Sequence, residues 1–237
     1  EYYFWFRSRL HFHADMAFIP LGGNTVFIRA DALRAAGGWD PQCLAEDCEL
    51  GVRLSVAGAR VAVAYEPELV TREETPSSLW ELFKQRTRWN QGFLQVLRKG
   101  VWRGLPSRTQ RALAWYTLGM PFLQAFTGVL IPLSVVAMLV LDVPLPLALF
   151  SFIPLVLTII TLLVEMIGLQ DLRRLFRGPA RMRDYARLII GLPPYQVMLA
   201  FAALRAAVRE MAGRRNWEKT AHAGAHLEPH RQGAGRR

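Results

Sequence analysis

Three clusters of side chains have the types and spacing to do chemistry. Glu46 and Asp47 are adjacent carboxylates. One such group, held beside a hydroxyl, can accept its proton, and a second acid next to it raises its affinity for that proton. Both also stand where a helix is expected to start, and acids favoured by a helix N-terminus are the plainer account. Further on, Gln85, Arg88 and Trp89 stand at i, i+3 and i+4. On a helix that spacing puts an amide, a guanidinium and an indole on one face. Leu79, Leu82, Phe83, Phe93, Leu94 and Leu97 supply the packing surface, so polar groups on an adjoining face need a reason. The plainer account is a surface arginine stacked on a tryptophan. Upstream, Gly22 and Gly23 lie in the turn Pro20-Leu21-Gly22-Gly23-Asn24, where the backbone can come close to a ligand without a side chain between.

These residues need elements to hold them. Ser77 to Leu97 reads as one helix, with Ser78 and Glu81 at capping-box spacing and Pro76 just before. Thr25 to Ile28 reads as a buried strand, Asp31 as the cap of a short helix through Ala36, and Gly37-Gly38 as its stop. After the turn Trp39-Asp40-Pro41, Glu49 to Ala57 is helical and Gly58 ends it. Arg60 to Tyr65 alternates like a strand, and Leu69 to Arg72 is a further candidate. Helices alternating with strands over about a hundred residues predict an α/β fold. The strands are too few to close a doubly wound domain, so half of that domain is expected N-terminal to Glu1.

The 237 residues are 52% hydrophobic yet carry a net charge of +10. The two properties are segregated along the chain. No charged residue occurs from Ala112 to Leu141, nor from Val143 to Val164, and each run exceeds the roughly 20 residues that cross a hydrocarbon core. Asp142-Val143-Pro144 makes the turn between them, and Leu145 to Leu169 crosses back. Arg173, Arg174, Arg177, Arg181, Arg183 and Arg187 follow, the bias of a cytoplasmic loop beside anionic lipid. Leu188 to Leu204 is shorter, broken by Pro193-Pro194 and flanked by arginine on both sides, so an interfacial or re-entrant helix is favoured there, with a third crossing as the alternative. The tail from Ala221 is expected to be disordered. The chain thus divides into 1–105, a catalytic half-domain with an interfacial helix; 106–212, the membrane region; and 213–237, a basic tail. Basicity concentrated at membrane flanks argues against a nucleic-acid partner, and no zinc spacing or recognition helix supports one.

Cys43 and Cys48 make no disulfide framework and are expected as reduced thiols. His11 and His13 would point apart on a helix and lack a third ligand. His222, His226 and His230 recur every four residues, but Gly224 and Pro229 interrupt the helix a metal stripe would need.

Taken in order, Leu21-Gly22-Gly23-Asn24, Gly37-Gly38-Trp39-Asp40, Ala45-Glu46-Asp47 and Gln85-Arg86-Thr87-Arg88-Trp89 resemble the C-terminal half of a membrane-bound family 2 glycosyltransferase. The kind is that of the cellulose, hyaluronan and poly-N-acetylglucosamine synthases. Asn216-Trp217-Glu218-Lys219-Thr220 resembles a motif near the C-terminus of such enzymes. The resemblance implies a partial GT-A-like α/β domain followed by transmembrane helices. It makes Asp47 the catalytic base of an inverting transfer, with Glu46, Gln85, Arg88, Trp89, Gly22 and Gly23 binding substrate. It further implies a nucleotide-sugar donor, expected to be a UDP-sugar, and a saccharide or lipid-linked acceptor at a bacterial-type inner membrane. The signature in the Gln85 helix favours a processive polymerase over a non-processive enzyme acting on lipid; a transporter or scaffold subunit is the alternative from another class. A magnesium or manganese ion is expected for the intact enzyme, on ligands outside this chain, since no Asp-x-Asp occurs in it. Ala45 departs from the family, which usually has Thr or Ser there.

Overall fold

The computed structural model describes residues 9–23, 25–64, 66, 69, 74–141, 144, 146, 149, 153–176 and 178–218. Seven α-helices and a 3-10 turn follow one another among these residues: α1 (Leu10–Asp15), α2 (Ala30–Ala35), α3 (Glu46–Val56), α4 (Leu79–Lys99), the 3-10 turn Val101–Gly104, α5 (Arg108–Val140), α6 (Ile153–Phe176) and α7 (Met182–Met211).

The α/β expectation fails. No strand or sheet forms among the described residues. Residues 26–29 and 59–64 are without regular structure rather than in a ladder, and most of the candidate strand Leu69 to Arg72 lies outside the described residues. Alternating side chains favour an extended chain, but a strand exists only when its N–H and C=O groups pair with a neighbour. Among the described residues none does. The partial GT-A-like half-domain is therefore not the architecture found here.

The helices follow their sequence signals. Ser78 Oγ accepts the Glu81 N–H at 3.2 Å and starts α4. Gly100, at φ 73°, ends it. Gly37 and Gly38, at φ 82° and 76°, stop α2, and Gly58 follows α3 at φ 77°. Ser107 and Gln110 form a reciprocal capping box at the head of α5, and Gln110 Nε2 also donates to the Met16 carbonyl at 2.9 Å. The end of α1 is thereby tied to the first turn of the longest helix.

The main core lies where α3, α4 and the head of α5 meet. Phe18, Cys48, Val52, Val96, Leu105 and Leu118 are all buried there. Two glycines set how closely α3 and α4 approach neighbouring backbone. A Cβ at Gly51 would stand 2.5 Å from the Ile19 carbonyl oxygen, and one at Gly92 would stand 2.4 Å from the Ala45 Cβ. Only hydrogen fits at either crossing. A second, smaller core joins α5 to α7 through Ala125, Ala200 and Ala203, and Gln124 donates to Gln196 between the same helices.

Two helices, α5 and α7, are long and apolar enough to cross a membrane. α5 runs unbroken through Pro121 and Pro132. α7 likewise continues through Pro193 and Pro194 for 30 residues, so the break expected at the double proline is not a break in the helix. Apolar side chains on these helices stand open, Leu139 and Val140 among them at 82% and 75% exposure.

Candidate functional site

Asp47 sits in the first turn of α3, after Ala45 at the N-cap. Alanine offers no oxygen to the free N–H groups of that turn, and the cap makes no side-chain hydrogen bond. Asp47 serves in part itself: its Oδ1 accepts the Cys48 N–H at 2.7 Å. The other oxygen lies under the glycine turn, where a Cβ on Gly23 would come within 3.1 Å of Oδ2. The role of Gly23 is thus to bring bare backbone against a carboxylate. The two residues line a cleft of about 220 Å³ with Gly22, Phe27 and Trp39. Phe27 is 94% exposed, so the lip is apolar while the floor carries charge. The volume is below the ~300–1,000 Å³ of a drug-sized ligand site and has room for one small ring.

Burial pushes the Asp47 carboxyl above the ordinary aspartate range, with Glu46 adding to the rise and the Cys48 N–H opposing it. That is the setting of a group that takes up a proton more readily than a surface acid does.

The face predicted on α4 forms, but its partners are not those its spacing suggested. Arg88 does not stack on Trp89. Its guanidinium lies 4.4 Å from the Trp217 ring centroid and donates to the Glu218 carbonyl at 2.8 Å. Trp89 lies 4.6 Å below Arg86. Burial lowers the proton affinity of Arg88, while the carboxylates of Glu46 and Glu218 pull the other way; an arginine so placed remains a cation. The structure therefore brings Arg88 into the field of Glu46, and Gly23 against Asp47. Gln85 is buried, and its Oε1 has no hydrogen-bond partner. Gln85, Arg88 and Trp89 do not line the Asp47 cleft.

The turn between α2 and α3 is built by charge. Asp40 Oδ1 accepts the Gln42 N–H at 2.8 Å, and Asp40 also pairs with Lys99 at the end of α4. Arg53 donates to the Gly38 carbonyl at 2.6 Å and pairs with Glu49 at 2.7 Å. The Gly37-Gly38-Trp39-Asp40 motif accordingly works as a hinge pin for α3. Cys43 and Cys48 are buried free thiols beneath it, and burial raises both above the usual range. They are packing residues.

His11 and His13 do point apart. His11 is exposed beside Asp15 at 3.8 Å, whereas His13 is buried and held neutral, its pKa lowered to about 4 by desolvation. Among the described residues no three His, Cys, Asp or Glu side chains gather to hold a metal ion. The donor set for an ion is thus not met by these residues, and no chemical step is assigned to one.

The sequence reading placed Glu218 in a motif without its partners and did not single out Glu210. Glu218 receives a two-pronged contact from Arg205 at 2.8 and 2.9 Å and a third bond from Arg209 at 2.9 Å. Glu210 is buried at 4% exposure and accepts from Gln91 at 3.1 Å, Gln95 at 2.9 Å and Arg215 at 3.1 Å. Gly92 and Gly51, each lone in a helical pattern, were local signals of close approach.

A half-buried acid thus lies under a side-chain-free turn in a small cleft with an apolar lip. The sequence profile named Glycosyl transferase family group 2 matches residues 3–167, more than half of the chain, and the protein belongs to that family. Among its relatives, a protein of Sulfolobus acidocaldarius named "Probable glycosyltransferase" is 37% identical over 95 residues, 39% of this chain and 20% of that one. A poly-beta-1,6-N-acetyl-D-glucosamine synthase of Staphylococcus epidermidis is 28% identical over 121 residues, 51% of this chain and 28% of the synthase. A beta-monoglucosyldiacylglycerol synthase of Synechocystis is 35% identical over 75 residues, 32% of this chain and 15% of the enzyme. The matched stretches are thus a minor part of each relative's length. No solved structure matches.

Proposed function

We propose that this chain is the acceptor-side portion of an inverting glycosyltransferase at a bacterial-type inner membrane, with Asp47 as its catalytic base. The observation that carries the reading is the Asp47 carboxylate, half-buried and raised in proton affinity, set against Gly23 in a cleft with room for one ring. An acceptor hydroxyl is a poor nucleophile at neutral pH, and a base within hydrogen-bond reach removes that obstacle. The hydroxyl oxygen bonds to the anomeric carbon of a nucleotide sugar as its proton passes to Asp47. The bond from that carbon to the diphosphate oxygen breaks, and the nucleoside diphosphate leaves with the electron pair. One displacement inverts the anomeric centre, so an α-linked donor gives a β-linkage.

Arg88, a cation close to Glu46, is assigned to the diphosphate end, where a planar guanidinium matches phosphate oxygens. Gln85, with an unpartnered buried oxygen, and Trp89 are assigned to substrate contact on the same helix. A UDP-sugar donor and a growing β-linked saccharide are the preferred substrates. A lipid acceptor is the second reading, and its support is the likeness to the Synechocystis diacylglycerol enzyme. The membrane placement is supported by the two long apolar helices and the open apolar faces they carry, a surface that water disfavours.

The test is sugar transfer from a radiolabelled nucleotide sugar by the full-length protein. Asp47→Asn is expected to abolish transfer while nucleotide binding and expression persist; retained transfer overturns the base assignment. Trp89→Ala is expected to weaken acceptor affinity and shorten the product while donor binding holds, and unchanged product length would remove the stacking role.

A further inference from the structure

The lead-in to α3 lacks the side-chain cap that a Ser or Thr at position 45 would supply. Something else must hold that backbone if Asp47 is to stay under Gly23. The structure offers one such hold. Gln95 Oε1 accepts the Leu44 N–H at 2.9 Å, and Gln95 Nε2 donates to Glu210 Oε2 at 2.9 Å. Both bonds are buried, and they span from α7 through α4 to the residue three before Asp47.

The orientation of the amide is forced. An ionised carboxylate only accepts, so Glu210 must face the Gln95 NH2 group, and the Gln95 oxygen is then turned to Leu44. Glu210 is itself fixed by Gln91 on the same oxygen, at 3.1 Å, and by Arg215 on the other, at 3.1 Å. Three residues before Leu44's partner, the Gly92 crossing presses α4 directly against Ala45. Leu44 and Ala45 are therefore gripped from one side by a hydrogen bond and by contact.

We propose that Gln95 and Glu210 form a positioning relay that fixes the N-terminus of α3, and with it Asp47, relative to α4 and to the membrane-length helix α7. The relay rests on the reading of Asp47 as the base for its effect on rate, but its effect on the backbone is independent of that reading. Neither residue lines the Asp47 cleft.

Two variants of the full-length protein test it, with donor and acceptor kinetics and hydrogen exchange of the segment holding Leu44 as readouts. Gln95→Glu keeps an acceptor for Leu44 but sets a second carboxylate against Glu210, so the side chain must turn away. Turnover is expected to fall about tenfold with the donor KM within about twofold, and Leu44 exchange to quicken. The swap Gln95→Glu with Glu210→Gln restores a donor facing an acceptor at the same contact; Gln91 retains the Arg214 carbonyl at 2.8 Å as its other acceptor. It is expected to return both turnover and exchange to within about threefold of the starting protein. Wild-type exchange in Gln95→Glu, or a swap no better than the single variant, overturns the relay. Quickened exchange that the swap reverses, in a protein whose transfer survives Asp47→Asn, keeps the relay and removes the base.

Discussion

At the cleft, Asp47 has a backbone N–H from Cys48 and a second carboxylate, Glu46, as its near neighbours. At the C-terminal segment, Glu218 has two arginines, with Arg205 closing on both of its oxygens. The two acids are alike in chemistry and opposite in setting. Burial raises the Asp47 carboxyl; the Arg205 hydrogen bonds, helped by Arg209, lower that of Glu218 despite its own desolvation. A saturated carboxylate is a clamp. One left with a desolvation burden and few donors is kept ready for a proton. The difference teaches that, on the proposed reading, function lies where the chain withholds partners, not where it supplies them.

The largest expected break in this contrast is Asp47→Asn, which should cut transfer by about 10²–10⁴, the usual worth of a positioned base. Thermal unfolding should show no loss of stability in that variant, because the amide lifts a buried charge. A fall in Tm would mean that Asp47 is a structural acid like Glu218. Next comes Gly92→Ala, where the added methyl meets Ala45. It should cost about 1–3 kcal/mol by overpacking and slow transfer as α3 shifts, checked by denaturant unfolding and turnover together. Glu218→Gln should cost about 1–2 kcal/mol, as the arginines lose a charged acceptor, with a smaller effect on rate than Asp47→Asn. Equal losses of rate at the two acids would erase the distinction between them.

The smallest effect is the pH response, and its sign separates the two sites. Glu218, lowered in the folded state, adds stability that is fully present above the ordinary glutamate value of about 4.3 and is lost as pH falls through its folded value. Asp47, raised in the folded state, binds its proton more tightly there than when unfolded. Its stabilising contribution belongs to low pH and is lost as pH rises through the folded value. Transfer, which needs the ionised form, should rise with pH on a limb above the ordinary aspartate value of about 3.9. A limb at or below that value would show an unperturbed acid.

Local signals carried much of the helical layout. Ser78 and Glu81, Gly37-Gly38, Gly58 and Gly100 act within one or two turns of the backbone, so their effects are readable without knowing what lies across. The candidate strands were not readable in that way, since Thr25 to Ile28 and Arg60 to Tyr65 needed partners that sequence alternation does not provide. The α4 face was half legible. Its spacing put Gln85, Arg88 and Trp89 on one helix, but Arg88 found Trp217, 129 positions downstream, rather than the indole next to it.

By itself, the sequence determined the family, the acid pair, the glycine turn and the long apolar segments, because each is a matter of residue type and short spacing. Tertiary structure alone decided which acid would be starved of partners. Asp47 is raised by burial, with Glu46 adding to the rise, and Glu218 is quieted by arginines on α7. Proton affinity depends on desolvation and on charges within a few ångströms. Those distances are set by helices that meet only after the chain has folded.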